Sequence, residues 1–321
     1  MRFTRRHSIQ LLLALAAIGV HPVWAQESLT RTQVLVGIES KSAVTLAPAN
    51  FTLKVENHAT PLTSITHLPA TGAQVALLID DGLRVSVGRE LGNMQKFIQS
   101  LPNGTEIFVG YMQNGRVVPV QNFTTNLAAA AQTLRLPTGL PGESASPYLC
   151  LSDFVKSWSI EESDSSYPSA REPTRKARVV LMITDGVDPY NGSTSILNQD
   201  SPYVASAVTD AQRRGIPVYS IFFSDAGFRG GRADFSGQSY PSQLAEGTGG
   251  RAYYNGTGNP VSLAPYFADF QKDLSETYVA TFDAPGGKNL VRLKLSSNLS
   301  GTKVRAPDEV RPGTIVTGSP R

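Results

Sequence analysis

Two apolar runs, residues 75–79 and 179–183, each end in an acidic loop that contains glycine. The first run is followed by Asp80-Asp81-Gly82 and the second by Thr184-Asp185-Gly186. Short apolar runs bounded by turn residues are typical of strands buried on both faces. In an open parallel sheet, ligands bind beyond the carboxyl ends of the strands. The sequence therefore predicts that Asp80 and Asp185 lie at the functional edge of a parallel sheet.

The alternation of strand and helix patterns over 73–270 predicts an α/β domain with a doubly wound, mostly parallel, Rossmann-like sheet. The predicted strands are 74–79, 106–111, 116–121, 178–184, 216–223 and 251–254, and the predicted helices are 88–101, 126–134, 147–158, 203–214, 241–246 and 263–278. The dipeptide Asn114-Gly115 predicts a hairpin turn between the second and third strands.

Small β regions flank this domain at both ends. Residues 28–70 contain short β-prone runs. Residues 271–310 contain the end of the last predicted helix and then further β-prone runs. Either region alone would have few strands and bare edges, so we expect the two to pair with each other. The remaining residues, 311–321, are rich in Pro and Gly, which predicts a disordered tail.

The first 25 residues have the three parts of a secretory signal. Arg2, Arg5 and Arg6 precede an apolar stretch, and Val23-Trp24-Ala25 is typical of a cleavage site. No later stretch reaches transmembrane length. We therefore expect a periplasmic or secreted protein without an integral membrane segment after cleavage; the choice between general and twin-arginine export is left open.

Charge argues against nucleic acid as a partner. The chain has 29 Lys and Arg against 26 Asp and Glu, and the whole excess lies in the first 25 residues. Without them the chain is neutral, whereas nucleic acids and anionic membrane surfaces require a basic footprint. We therefore expect an unidentified protein as the partner.

The order of these parts resembles the von Willebrand factor A (vWFA) domain and, more closely, the VWFA-related family of Acidobacteria. In that family a β segment precedes the A domain, here Val44-Thr45-Leu46 through Phe51-Thr52-Leu53-Lys54-Val55-Glu56-Asn57. A strand containing a Tyr and a closing β region follow it, here Glu276-Thr277-Tyr278-Val279-Ala280 and 290–305. The resemblance covers about residues 30–310. It implies a vWFA fold and a metal-ion-dependent adhesion site on the strand-end loops.

Residue by residue, the adhesion site is incomplete. Asp80 matches the first metal-binding Asp of the family, and Asp185 matches the later one. The threonine ligand would fall near Ser144 or Ser146, although Ser146 is equally well explained as the cap of the following helix. Gly82 and Arg84 stand where the family has its two serines, so the site is degenerate.

Three interpretations of the Asp80–Asp185 pair remain open. The pair binds Mg²⁺ or Ca²⁺ with fewer protein oxygens than the family uses, or Arg84 replaces the cation, or both carboxylates cap backbone amides. We expect no cofactor beyond such an ion. The neighbouring Asp81 and Asp188 are expected to be solvated loop residues rather than ligands.

A polar loop predicted at 224–242 follows a strand and therefore lies at the same edge of the sheet. It contains Phe228, Arg229, Arg232, Phe235 and Tyr240 among glycines. Aromatic residues together with arginine are typical of binding anchors, so these residues are candidates for partner binding. The alternative is a flexible insertion.

Histidine distribution argues against an enzyme. His58 and His67 lie in the flanking β region, and the predicted α/β domain has none. A Ser-His-Asp or Cys-His arrangement cannot be built there, and a zinc site is equally disfavoured. We expect a non-enzymatic protein-binding module. A structural platform that pairs through its β segments and a carboxylate-dependent hydrolase are the alternatives.

Overall fold

The computed structural model describes residues 28–40, 45–69, 73–140, 142–158, 176–188, 201–223, 231–254 and 262–317, without the side chains of 231–238. The strands are β1 (Leu29–Ser40), β2 (Phe51–Val55), β3 (His58–Thr60), β4 (Leu62–His67), β5 (Ala73–Asp80), β6 (Glu106–Gln113), β7 (Arg116–Thr124), β8 (Ala177–Thr184), β9 (Val218–Phe222), β10 (Ala252–Tyr253), β11 (Thr277–Pro285), β12 (Val291–Ser297), β13 (Thr302–Arg305) and β14 (Glu309–Val310). The α-helices are α1 (Leu91–Gln99), α2 (Leu127–Gln132), α3 (Pro147–Ser157), α4 (Pro202–Arg214), α5 (Gly231–Thr248) and α6 (Ala264–Ser275), and short 3₁₀ helices cover Pro48–Asn50 and Val85–Glu90. The predicted signal segment, 1–25, lies outside the described residues. Among the described helices, none has the length and apolarity needed to span a bilayer.

A six-stranded sheet forms the centre of the α/β part. Its order is β10-β9-β8-β5-β6-β7, and its strands are parallel except for the antiparallel edge strand β7. The hairpin between β6 and β7 turns at Asn114 and Gly115, whose φ angles of 47° and 77° fit the predicted turn. The prediction of a mixed α/β fold with a mostly parallel sheet is confirmed.

Helices cover both faces of this sheet. The side chains of Val75, Leu77 and Ile79 pack with α1, α2 and α6, whereas Ala76 and Leu78 pack on the other face with α3, α4 and α5. This alternation follows from the two-residue period of a strand. Because β5 is apolar on both faces, it lies at the centre of the sheet, and Asp80 is its last residue.

The two flanking β regions pair with each other in two antiparallel sheets. One has the order β13-β1-β11-β4 and the other β14-β12-β2-β3, so each combines strands from both ends of the chain. In β1, Val34, Val36 and Ile38 face the second flanking sheet, while Leu35 joins the core of the α/β part. The flanking sheet that contains β1 therefore lies between the α/β part and the second flanking sheet.

A buried carboxylate ties these layers together. Asp273 of α6 is 1% exposed and accepts a hydrogen bond of 2.7 Å from Nη2 of Arg305 in β13. Arg251 approaches the same carboxylate to 3.3 Å and pairs with Glu39 of β1 at 3.0 Å. This network fixes the orientation of α6 against the flanking sheet. A buried charged group is stable only while its hydrogen-bond partners stay in place, so α6 cannot shift without breaking the contacts.

The prediction of a disordered tail is wrong for residues 311–317. Val316 is 3% exposed, and its backbone N–H donates to the side chain of Gln33 at 3.2 Å. The backbone N–H of Gln33 in turn donates to the carbonyl of Thr314 at 2.7 Å. Proline and glycine in this segment permit the turns that bring Val316 against Gly215.

Candidate functional site

The candidate site lies at the carboxyl ends of β5 and β8. These strands are parallel neighbours, with Ile79 opposite Ile183, so Asp80 and Thr184 end them side by side. From β5 the chain continues to β6 on one side, whereas β8 lies on the other side. This is the position at which the strand order reverses, where open α/β sheets form their binding crevice.

Donors of the protein itself surround the carboxylate of Asp80. Its Oδ1 accepts the backbone N–H of Gly82 at 3.0 Å, and its Oδ2 accepts the hydroxyl of Thr184 at 2.9 Å. The hydroxyl of Ser144 donates a third hydrogen bond. Asp80 is 3% exposed. These three donors hold the carboxylate inside the loop cluster.

Burial, together with the nearby carboxylate of Asp185, raises the pKa of Asp80 to about 7, against the lowering effect of its three hydrogen-bond donors. The carboxylates of Asp80 and Asp185 therefore lie within electrostatic reach of each other. A pKa of about 7 leaves the carboxyl of Asp80 protonated in part of the molecules at neutral pH.

The loop that contains Asp185 is closed by local hydrogen bonds. Asp185 accepts the backbone N–H of Val187 at 3.0 Å, and the Thr184 hydroxyl accepts that of Gly186 at 3.0 Å. The buried hydroxyl of Tyr148 donates to the carbonyl of Gly186 at 2.8 Å. Burial raises the pKa of Tyr148 well above its usual value, as do the carboxylates of Asp185 and Asp188, so it remains a donor.

The two serine candidates have different roles. Ser144 contacts Asp80 and belongs to the site. Ser146 is fully buried and caps α3, where its hydroxyl accepts the backbone N–H of Leu149 at 3.3 Å. Cys150, one turn further, donates to the Ser144 carbonyl at 3.1 Å, which helps to position the serine.

Asp81 is not the solvated residue that the sequence predicts. It is fully buried and binds the guanidinium of Arg135 with two contacts, 2.7 Å to Nη1 and 3.0 Å to Nη2. Its carboxylate also accepts the side chain of Gln113 and the backbone N–H of Thr138. The hydrogen bonds from Arg135 and its other partners hold the pKa of Asp81 below its usual value although burial opposes them. A partner 54 residues away carries no local sequence signal.

Asp188 is also buried rather than solvated. It is fully buried, and its carboxylate accepts a hydrogen bond from the hydroxyl of Ser201 at the start of α4. The acidic loop after β8 is therefore tied to α4, because a buried carboxylate requires hydrogen-bond partners.

Arg84 lies exposed at the start of the 3₁₀ helix Val85–Glu90. The groups that set the pKa of Asp80 are Asp185, Gly82, Thr184 and Ser144. The pairing of Arg84 with Asp80 or Asp185 stays a prediction.

The donor set does not fit the divalent ion that the family resemblance implies. Mg²⁺ requires near-octahedral oxygen ligation. Gly82 and Arg84 remove two of the family's hydroxyl ligands, and a Cβ at Gly82 would lie 3.1 Å from the Leu140 carbonyl oxygen. No group of three or more His, Cys, Asp or Glu side chains suited to a metal occurs among the described residues.

The predicted partner-binding loop is partly wrong. From Gly231 onwards its residues belong to α5, and Tyr240 is 1% exposed, edge-on to the ring of Tyr148. Glycine, serine and Pro241 have low helix propensity, but burial of Tyr240 and Leu244 outweighs it. Phe228 and Arg229 lie outside the described residues, and so do the side chains of Arg232 and Phe235.

A surface that the sequence did not single out adjoins the site. Val85, Leu136 and Leu140 are 64%, 50% and 61% exposed and represent half of the six exposed large hydrophobic residues in the described part of the chain. A Cβ at Gly88 would lie 2.4 Å from Leu136, and one at Gly139 would lie 3.3 Å from Val85. We call Val85, Leu136 and Leu140 the rim patch. The sequence does not predict this patch, because single leucines in loops are common and only the fold brings these residues together.

Comparisons with known proteins add little to this geometry. No family model and no curated protein matches the chain. Similar solved structures include a proximal thread matrix protein of the mussel byssus, with 11% identity, 77% of this chain and 50% of that chain covered, and a TM-score of 0.41. The manganese-loaded TRAP protein of Plasmodium vivax has 11% identity, 78% and 98% coverage and a TM-score of 0.38. A pilus adhesin of Lactobacillus rhamnosus GG has 8% identity, 86% and 48% coverage and a TM-score of 0.41.

The chain spans about half the length of the mussel and Lactobacillus proteins. At these identities and TM-scores, the similarities carry no argument about the site or its chemistry.

Proposed function

We propose that this chain is an exported, non-enzymatic protein-interaction module of the vWFA type, which binds a partner protein through its strand-end loops without a resident metal ion. The observation that carries the proposal is the rim patch, since Val85, Leu136 and Leu140 are exposed at the carboxyl edge of the parallel sheet. Exposed apolar side chains that lie together are typical of protein-binding surfaces.

The surroundings of the patch support binding rather than catalysis. The carboxylates of Asp80 and Asp81 are buried and engaged by internal donors, so they have little access to a substrate. The contacts of Asp81 with Arg135 and Thr138 join the loops after β5 and α2. A joined pair of loops loses less conformational entropy on binding than two mobile loops would.

Site-specific photocross-linking in the native cell envelope tests the proposal. A photoreactive amino acid replaces Leu140 in one variant and Thr52, exposed on the flanking sheet, in another. We expect an adduct of defined mass from position 140, with the same yield in EDTA. Adducts from position 52 alone would support the structural platform, and an adduct at 140 that EDTA abolishes would support metal-dependent adhesion instead.

A further inference from the structure

We propose that the rim patch binds an acidic, aliphatic segment of the partner protein, with Arg89 as the residue that selects negative charge. The inference rests on the proposed function, because it names the chemistry of the partner at the same edge of the sheet. Its basis is the rim patch together with the distribution of charge in the two loops that carry it.

The apolar part of the surface is held in place. Leu136 lies over Gly88 in the 3₁₀ helix, and Val85 lies against Gly139. Behind them, the backbone N–H of Gly139 donates to the Asp81 carbonyl at 3.2 Å. A side chain of the partner thus meets a preformed apolar surface and does not have to order it first.

The charges around this surface are unequal. Of the acidic residues in 80–90 and 134–146, Asp80, Asp81 and Glu90 are buried, and Glu143 is half-buried. Glu90 is engaged by the side chain of Asn93 and the backbone N–H of Leu263, both at 2.8 Å. Two basic residues reach the surface instead, since Arg84 and Arg89 are exposed, whereas the charge of the 37% exposed Arg135 is neutralised by Asp81. Within these two segments the exposed charged side chains are therefore basic, although the chain beyond residue 25 is neutral.

This distribution distinguishes between occupants. A second copy of the chain, docked patch to patch, would bring Arg89 of both copies together, and like charges across an interface oppose binding. An acidic segment would place its carboxylates against Arg89 and its aliphatic side chains against Val85, Leu136 and Leu140. Charge complementarity therefore favours the acidic segment.

Binding of three fluorescent twelve-residue peptides tests the inference. The peptides alternate leucine with glutamate, lysine or serine, and fluorescence anisotropy measures their affinity for the full chain. We expect the glutamate peptide to bind at least about tenfold more tightly than the lysine peptide. Leu140→Ser should weaken it about tenfold, whereas Leu29→Ser, at a residue 68% exposed elsewhere, should not. Arg89→Glu should reverse the charge preference, and Lys54→Glu should leave it unchanged.

Three results would overturn the inference. One is equal binding of all three peptides. Another is peptide binding that neither Leu140→Ser nor Arg89→Glu changes, in variants that keep the wild-type melting temperature. The third is a dimer that Leu140→Ser dissociates in sedimentation, because the occupant would then be a second copy. If the peptides fail while cross-linking at position 140 still succeeds, the proposed function stands and only the partner chemistry is wrong.

Discussion

Arg135 forms two parallel hydrogen bonds with the fully buried carboxylate of Asp81, next to the carboxylate that the sequence singles out. The guanidinium also lies 3.8 Å from the ring centroid of Tyr111. The edge of the sheet thus carries two adjacent acids whose pKa values are shifted in opposite directions. Asp81 is ionised and neutralised by Arg135, while Asp80 has a raised pKa beside Asp185.

Replacing Arg135 with alanine should destabilise the protein by about 1–3 kcal/mol, because it leaves the buried carboxylate of Asp81 without its counterion. The loss is not larger because solvent already screens the charge of the half-exposed arginine. Urea denaturation measures the change. Arg89→Ala, at an exposed arginine, is the matched control and should cost less than about 0.5 kcal/mol. Equal effects of the two variants would mean that the pair contributes no stability.

Asp80 should make the protein less stable as the pH rises from about 4 to about 7. Its carboxyl has a pKa of about 7 in the folded protein and about 4 in an unfolded chain, so the folded state holds the proton more tightly. Within this window the unfolded chain has released the proton while the folded protein still holds it, so a rise in pH favours unfolding until the folded protein ionises as well. In thermal melts, the melting temperature of Asp80→Asn should decline less over this pH range than that of the wild type. If the two proteins show the same pH profile, the raised pKa of Asp80 is contradicted.

The wild type should show little binding of Mg²⁺ or Ca²⁺ in calorimetry, whereas the Gly82→Ser, Arg84→Ser double variant should gain some. The added hydroxyls supply oxygen ligands and the arginine charge is removed. Gly82→Ser should also cost about 1 kcal/mol, because its Cβ would crowd the Leu140 carbonyl and Asp80 at 3.1 and 3.3 Å. Gly92→Ser is the steric control, since a Cβ there meets nothing within 4 Å. Micromolar affinity of the wild type would show that the site binds metal with other ligands.

Val316→Ser should destabilise the protein by about 2 kcal/mol, because the valine is buried against Gly215. Val85→Ser, at a valine 64% exposed, should have little effect on the same denaturation curve. A tail that does not contribute to stability would make the two variants indistinguishable.

The sequence predicts the central sheet well because its signals are local. The apolar residues of β5 and β8 and the turn at Asn114-Gly115 each specify their own conformation. The position of Asp80 follows from the end of β5. The cap at Ser146 is local as well, because its partner is Leu149.

What the sequence does not predict depends on residues far apart in the chain. Burial of Asp81 depends on Arg135, and order in the tail depends on Gln33, 283 residues before Val316. Helix α5 contains Pro241 and several glycines, so its propensity favours a loop until Tyr240 is packed. In each case tertiary contacts outweigh the local preference.

The pairing of β1 with β11 places Leu29 opposite Pro285 and Gly37 opposite Thr277. Contacts between such distant residues slow folding, because a large loop must close before any of them is made. Synthesis proceeds from the amino terminus, so β1 waits without its partner while the rest of the chain emerges. An unpaired apolar strand is a template for aggregation. The sheet that contains β1 therefore cannot be completed until β11 and β13 are available.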